Sequence, residues 1–388
     1  MRPGSIRRLS GSIGVLLIAS SIAACGDDSG SQSAADQYDV GAVLLLSGFA
    51  QSTGLQMRDG VEAAAKQIND AGGIDGKPLE IHYEDNQGLA KPGVDALNKL
   101  ATVDDVPVSI VSSSDAILAS LPIADREQVL LVNPGAQSPN LLDVSPFLVT
   151  TIVNVIDEVD AAVAYLREQG HDTISFVGLD NALGHPTAEY LEEAWTEAGG
   201  TFGTAHFEPV DVTDHSSVIS KLKSEAPDVI YSTSSPAGRG SLIQQGGRAG
   251  LDVPIMSYSA GVTPEVIELG GKSAEGLLAT TSAFDLERGT EADKQLLDAF
   301  GGKTPPFYTT LFYNATMMVA QAIEHTAEND QPFTGEAVAD AVKEIGTFEL
   351  AGADVTIRED GSASQALNIM QVKNGEFQVS ETVQPPTE

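Results

Sequence analysis

The sequence contains very little cysteine and few basic residues. Cys25 is the single cysteine among 388 residues, which excludes an internal disulfide and a cysteine-based metal site. Only 21 lysines and arginines stand against 55 acids, and the net charge of −34 argues against nucleic acid and anionic membrane surfaces as partners. The acids are spread along the chain, which favours an acidic surface over an acidic interaction arm. No apolar run is long enough to predict a transmembrane helix.

Sequence motifs of the common enzyme classes are also missing. GGKS (270–273) lacks the first glycine of a phosphate loop, because Val266 stands there, and GRGSLI (238–243) lacks the third glycine of a dinucleotide fingerprint. The six histidines show no metal spacing, and no nucleophile elbow is present. SKLK (220–223) matches S-x-x-K, but on a predicted surface helix. We therefore predict a protein that is not an enzyme and uses no cofactor or metal, although scattered acids leave acid–base catalysis open.

The first residues are typical of an export signal. A basic start with three arginines precedes the apolar segment IGVLLIAS, and small residues follow it, so we expect a signal peptide at 1–24. The run IAAC (22–25) resembles the bacterial lipobox, whose cysteine is lipidated and becomes the first residue of the mature protein. The alternative is an ordinary signal peptide cut after Ala24. We expect lipidation at Cys25, a flexible tether at 25–37, and a protein anchored by lipid outside the bacterial cell membrane.

Two α/β units follow one another along the chain. A length of 388 residues leaves room for two domains, and 42% apolar residues suffice for two cores. In the first unit, apolar runs that predict strands alternate with helical periodicity: VGAVLLL (40–46), LEIHYE (79–84), VSIVS (108–112) and VLLV (129–132). In the second unit the predicted strands are TISFVG (173–178), 202–207, VIYST (229–233), PIMS (254–257) and GLLATT (276–281). The alternation predicts an α/β fold of two Rossmann-like lobes, each with a parallel sheet.

The last hundred residues depart from this alternation. After Phe284 the sequence predicts a mostly helical stretch with one long apolar face around Phe312 and Val319. Two closing strands are predicted, ALNIMQV (366–372) and EFQV (376–379).

Small polar loops follow several predicted strands, where open α/β sheets bind ligands. SGFAQSTG (47–54), with Phe49, follows the first strand, and three serines follow the third. Hydroxyls and amides at a helix start suit an anion, although capping by one serine is the alternative. The fourth strand is followed by NPGAQSP (133–139), and the second unit offers DNALG (180–184), STSSPAG (232–238) and YSAG (258–261). The predicted ligand residues are Phe49, Ser112, Ser113, Ser114, Gly135, Ala136, Gln137, Leu183, Ser234, Tyr258 and Ser259.

Several segments resemble the type I periplasmic binding proteins of branched-chain amino acid ABC transporters. The resemblance is carried by MRDGVEAAAKQINDAGGIDGKPLEIHYEDNQ (57–87), VSSSDAILASLPIAD (111–125), LLVNPGAQSPNL (130–141), ISFVGLDNALG (174–184), APDVIYSTSSPAGRGSLIQQGGRAGLDVPIM (226–256) and AEGLLATTSAF (274–284). It runs from about Asp39 to Val379. It implies two lobes joined by three crossovers, near 150–154, 280–284 and 358–365, and a small-molecule ligand in the cleft. It also implies a monomer whose ligand-closed form is bound by ABC permease subunits.

The resemblance also implies a division of the chain. Lobe 1 would comprise 38–152 plus 283–360, and lobe 2 would comprise 153–282 plus 361–388.

The family's ligand residues map onto this sequence with departures. The serine that holds the α-carboxylate maps onto Ser112 or its neighbours, whereas the threonine position is Gln137. The second-lobe acid that pairs with the α-ammonium maps onto Ser259, and the second-lobe tyrosine onto Leu183. Because an unpaired buried ammonium is costly, we expect a small organic acid, an aromatic acid or an amide rather than a plain branched-chain amino acid.

The sequence is consistent with three functional hypotheses. The first is a receptor that binds an amino acid, organic or aromatic acid, or amide for an ABC importer. The second is a ligand sensor of the same fold that reports to a signalling partner. The third is an extracellular α/β hydrolase, which the missing catalytic motifs disfavour.

Overall fold

The computed structural model describes residues 37–48 and 50–384. The predicted signal peptide, most of the predicted tether, the predicted lipidation site Cys25 and the predicted ligand residue Phe49 lie outside the described residues. None of the helices in residues 37–48 and 50–384 is long and apolar enough to cross a membrane.

The first sheet has five parallel strands: β1 (Tyr38–Leu44), β2 (Leu79–Asp85), β3 (Val108–Val111), β4 (Leu130–Asn133) and β5 (Leu148–Thr150). They stand in the order β2-β1-β3-β4-β5. The connecting helices are α1 (Gln51–Asp70), α2 (Ala90–Thr102) and α3 (Ser114–Glu127). Met57, Val61, Ala65 and Ile68 lie on one face of α1, as their helical spacing requires, and are buried in a core that includes the first sheet.

The second parallel unit begins after β5. Its helices are α4 (Val155–Glu168), α5 (Gly184–Glu197), α6 (Ser216–Glu225), α7 (Pro236–Arg248) and α8 (Pro264–Gly270). Its parallel strands are β6 (Thr173–Leu179), β7 (Thr201–Glu208), β8 (Val229–Ser232), β9 (Ile255–Ser257) and β10 (Leu278–Ser282). Helices α4 and α5 pack on one face of these strands, and α6 and α7 on the other.

The chain then returns to the first sheet. Helices α9 (Glu291–Ala299), α10 (Phe307–Glu328) and α11 (Gly335–Ile345) come next, and α10 and α11 share a core with α1 and the first sheet. A small antiparallel sheet follows, made of β11 (Thr347–Leu350), β12 (Ala353–Ile357) and β13 (Ala363–Ser364). Neither this sheet nor β5 was predicted, because such short strands carry too little apolar patterning to be recognised.

The closing hairpin extends the second sheet. Strands β14 (Leu367–Lys373) and β15 (Glu376–Val383) are antiparallel and give the order β15-β14-β10-β9-β8-β6-β7. The chain therefore passes between the two large sheets after β5, after β10 and after β13. The predicted α/β class is confirmed: the first sheet is parallel, and the second is parallel apart from this antiparallel hairpin.

Candidate functional site

Loops from the carboxyl ends of the two parallel sheets meet each other. The hydroxyl of Ser138, after β4, donates to the carbonyl oxygen of Ala182, after β6, at 2.5 Å. The neighbouring Gln137 donates from Nε2 to Glu158 on α4 at 2.6 Å. Because parallel strands of an open sheet present their ligand loops at this edge, the space between the two edges is the candidate site.

The three predicted serines lie where β3 meets α3. Ser112 is buried, and its hydroxyl lies 3.2 Å from the carbonyl oxygen of Val43 and 3.3 Å from Nδ2 of Asn86. Ser113 donates its hydroxyl to the carbonyl oxygen of Gly88 at 3.2 Å, and Ser114 is the first residue of α3. The hydroxyls of Ser112 and Ser113 therefore connect this loop to β1 and to the loop after β2 by hydrogen bonds.

Ser113 also has an unusual backbone conformation. Its φ is 74° and its ψ is 118°, a region that residues with a Cβ rarely adopt. Strain of this kind costs on the order of 1–3 kcal/mol and is found mostly at functional sites. Neighbouring structure must therefore hold this loop in place.

The loop after β4 is organised by one side chain. Oδ1 of Asn133 accepts from the amides of Gly135 and Ala136 at 3.1 and 2.7 Å, and its Nδ2 donates to the carbonyl oxygen of Ala136 at 2.7 Å. The backbone amides of Gly135 and Ala136, which were predicted to bind the ligand, thus donate hydrogen bonds to Asn133. Gly135 also contacts the first core, since a Cβ there would lie 3.1 Å from Phe312.

Glu158 joins the loops of both sheets through a buried network. It is 0% exposed. Its Oε1 accepts from Nε2 of Gln137 and from the hydroxyl of Ser259, and its Oε2 accepts from the amide of Ser259 at 2.8 Å. The hydroxyl of Thr280 lies 2.9 Å from Oε2 and 3.2 Å from the carbonyl oxygen of Ser257. Two predicted ligand residues, Gln137 and Ser259, are therefore partners of this carboxyl.

The environment of Glu158 favours its neutral form. Burial raises the pKa of the Glu158 carboxyl to about 7, although hydrogen bonds from Ser259, Thr280 and Gln137 act to lower it. A protonated Glu158 also finds an acceptor, because it can donate to Thr280 while the Thr280 hydroxyl donates to the carbonyl oxygen of Ser257.

The other predicted residues of the second unit differ in their surroundings. Leu183 is buried in the second core, and its amide donates to Oδ1 of Asn181 at 3.0 Å. Ser234, two residues after β8, and Tyr258, directly after β9, are buried at the carboxyl edge of the sheet. Both contact Arg239, which is not among the predicted ligand residues.

Arg239 is a fully buried cation in the first turns of α7. Its Nη2 lies 2.5 Å from the carbonyl oxygen of Ser234, and its Cζ lies 5.5 Å from the ring centroid of Tyr258. Burial lowers the pKa of Arg239, while the phenols of Tyr258, Tyr231 and Tyr308 act to raise it. Tyr308 comes from α10, which packs on the first sheet, so this cluster also includes residues of both units.

Features of the sequence could have pointed to Glu158 and Arg239, the two charged residues absent from the predicted ligand residues. Glu158 lies three residues after Val155 and four before Ala162, on the apolar face of α4. Arg239 is the only base between Lys223 and Arg248, in a segment of small residues directly after a strand. A charge within an apolar face or a small-residue loop is unusual and points to a specific environment.

A model of the family described as periplasmic binding protein matches residues 37–376. This chain belongs to the periplasmic binding protein family. The predicted resemblance is confirmed, and the chain is a type I solute-binding protein of the kind that serves ABC transporters. Periplasmic binding proteins are extracytoplasmic.

The sequence of this periplasmic binding protein is similar to the sequences of amino acid receptors. It is 28% identical to the Leu/Ile/Val-binding protein homolog 1 of Brucella abortus, over 83% of this chain and 86% of that protein. It is also 28% identical to the leucine-, isoleucine-, valine-, threonine-, and alanine-binding protein of Pseudomonas aeruginosa, over 90% of each chain.

Solved structures share the fold of this periplasmic binding protein. A leucine binding protein from Thermotoga maritima has a TM-score of 0.80 at 22% identity, covering 90% of this chain and 99% of that chain. A solute binding protein of an ABC transporter from R. palustris, solved with 4-hydroxybenzoate, has a TM-score of 0.79 at 19% identity, covering 90% and 97%. The same fold thus serves an aliphatic and an aromatic solute in these two proteins.

Proposed function

We propose that this chain captures a small organic solute between the carboxyl edges of its two large sheets and delivers it to an ABC importer. The observation that carries the proposal is the pair of contacts across these edges, Ser138 to Ala182 and Gln137 to Glu158. A solute between the edges gains contacts with both lobes only in the closed form. It therefore shifts the population toward closure by its differential affinity.

The two lobes would follow the predicted division. Lobe 1 would comprise 38–152 plus 283–360, and lobe 2 would comprise 153–282 plus 361–388. The separate sheets support this division, as do the chain's three passages between them, after β5, β10 and β13. The last passage favours a boundary a few residues later than 360, because β13 at 363–364 pairs with β12.

The partners and location of the protein complete the proposal. Permease subunits of the importer would bind the closed form, and the receptor would act as a monomer. A lipid on Cys25 would anchor it outside the cell membrane, with the tether at 25–37 giving it reach. The solute would be released unchanged.

The ligand is proposed to lie among the predicted loops. Support comes from the strained backbone of Ser113 and from the burial of Ser234, Tyr258 and Ser259 at the carboxyl edge of the second sheet. An amino acid ligand would need a carboxylate for its ammonium group. Glu158 contacts Ser259 at the mapped position, but its oxygens already accept from Gln137, Ser259 and Thr280. An organic acid, an aromatic acid or an amide therefore suits the site better.

A thermal-shift screen tests the proposal. We expect at least one member of a panel of leucine, isoleucine, benzoate, 4-hydroxybenzoate, 4-methylpentanoate and their primary amides to raise the melting temperature. A solute present at 1,000 times its Kd stabilises the folded chain by about 4 kcal/mol.

Recovery of the solute after incubation checks for turnover. A panel without any shift would contradict the receptor function. A solute that is chemically consumed would contradict release without reaction.

A further inference from the structure

Arg239 has unsatisfied hydrogen-bonding groups. The side chain is 0% exposed, and Nη2 alone finds acceptors, the carbonyl oxygens of Ser234 at 2.5 Å and Ser232 at 3.4 Å. Nε and Nη1 are buried and have no hydrogen-bond partner among residues 37–48 and 50–384. Three N–H groups of a permanent cation are therefore unpaired, which is strongly unfavourable unless a further acceptor binds there.

Among the described residues, Arg239 forms no salt bridge, unlike Arg288 and Arg358. The phenols of Tyr258, Tyr231 and Tyr308 act to raise its pKa, and the charge of Glu158 acts in turn to raise the pKa of these three phenols. Glu158 is also buried, but its oxygens accept from Gln137, Ser259 and Thr280. A buried cation without a salt-bridge partner points to an external anion.

A purely structural role leaves part of this arrangement unexplained. The interaction with Tyr258 and the bonds from Nη2 to the carbonyl oxygens of Ser232 and Ser234 do not account for the burial of Nε and Nη1. The hydroxyl of Tyr231, also fully buried, likewise has no hydrogen-bond partner in the described part of the chain. The guanidinium and this phenol can both donate to one oxyanion.

The cluster also lies where a ligand would connect the lobes. Arg239, Tyr231 and Tyr258 belong to the second sheet and its helices, whereas Tyr308 is on α10, which packs on the first sheet. Phe307, the neighbour of Tyr308, contacts Phe284 at a centroid distance of 6.4 Å. Tyr231, Tyr258 and Tyr308 thus lie near a single cationic group, a combination that suits an apolar body with one negative charge.

We propose that Arg239 binds the carboxylate of the solute and makes this receptor specific for small organic acids. The inference rests on the proposed function and narrows its ligand class. A carboxylate carries the single charge that one guanidinium balances, whereas a phosphate at neutral pH would leave excess negative charge among the phenols. The carboxylate would lie in lobe 2, rather than at the serine position that the family resemblance implies.

Calorimetric titration of paired acids and amides tests the role of Arg239. The probes are benzoate, 4-hydroxybenzoate and 4-methylpentanoate, each with its primary amide, together with leucine. We expect the wild type to bind at least one acid about 100-fold more tightly than its amide, since a hydrogen-bonded charge is worth this much in a desolvated site. Arg239→Gln should remove this preference, and Arg239→Lys should retain part of it.

Arg248→Gln is the matched control, because Arg248 is an exposed arginine at the end of the same helix. It should leave the acid-to-amide ratio unchanged. If Arg239→Gln fails to fold, as its circular dichroism would show, the ratios of the wild type and Arg239→Lys decide the question.

The outcomes separate the inference from the proposed function. Tight binding of leucine or of an amide, with no acid preferred, would overturn the carboxylate assignment and leave the receptor function standing. An acid preference that survives Arg239→Gln, or one that Arg239→Lys raises, would also overturn it. A wild type that binds no probe would overturn both.

Discussion

Replacing Glu158 with glutamine should remove about 3 kcal/mol of the pH dependence of folding between pH 4.5 and 8. In the folded chain, burial raises the pKa of Glu158 from its ordinary value of 4.5 to about 7. Between these two values the folded state holds a proton that the unfolded state has released. Wild-type stability therefore falls as the pH rises, by about 1.4 kcal/mol per pH unit over this interval.

The glutamine variant should follow a different curve. Its amide carries no titrating proton, but either orientation points an N–H group at a donor, Nε2 of Gln137 or the amide of Ser259. This conflict costs about 1–3 kcal/mol at every pH. Glu158→Gln should thus be clearly less stable than the wild type at pH 5, and about equal to it or more stable at pH 8.

Urea unfolding at pH 5, 6, 7 and 8 measures this effect. Burial also raises the pKa of the nearby Asp157 and Asp160, so the difference between wild type and variant is the informative quantity. Glu168→Gln is the control, because Glu168 is an exposed glutamate at the end of the same helix. A wild-type-minus-variant difference that is the same at pH 5 and pH 8 would show that Glu158 does not titrate in this way.

The strands and helices that define the fold could be predicted because their patterns are local. The apolar run of β1 and the helical spacing of Val61 and Ile68 in α1 need no knowledge of distant residues. The small sheet of β11, β12 and β13 could not be predicted, because its short strands become strands only by pairing with one another.

The sequence was sufficient to predict which loops form the candidate site. It was not sufficient to predict the hydrogen bonds that their side chains make. Ser112 and Gly135 lie at the carboxyl edge, where parallel strands place such loops. Their hydrogen bonds depend on partners that sequence spacing does not reveal, such as Asn86 for Ser112. The link from Glu158 to Ser259 spans 101 residues and exists only in the folded chain.

Replacing Gly54 or Gly184 with alanine should destabilise the protein by about 3 kcal/mol, because each glycine lets a helix approach the strand before it. A Cβ at Gly54 would lie 1.7 Å from the carbonyl oxygen of Leu45, just after β1. A Cβ at Gly184 would lie 1.8 Å from the carbonyl oxygen of Leu179, at the end of β6. The opposing atoms are backbone atoms, so no side-chain rotation relieves the overlap.

Gly246→Ala is the matched control within a helix. A Cβ there would meet only side-chain atoms of Leu251, at 3.4 and 3.7 Å, which are ordinary contacts. Because alanine favours the helix over glycine, this variant should be as stable as the wild type or gain up to about 1 kcal/mol. Chemical denaturation followed by circular dichroism compares the three variants, and a Gly54→Ala variant of wild-type stability would contradict the close approach.

The two glycines should also affect solute binding, because they occupy equivalent places in the two units. Each lies in or at the start of the helix that follows the first strand of its sheet, next to a loop of the candidate site. The only relief for the added Cβ is to move the helix away from the sheet, which displaces the loop that precedes it. Gly54→Ala and Gly184→Ala variants that still fold should therefore bind the acid probes more weakly than Gly246→Ala does. Equal affinities would show that these two glycines affect packing but not solute binding.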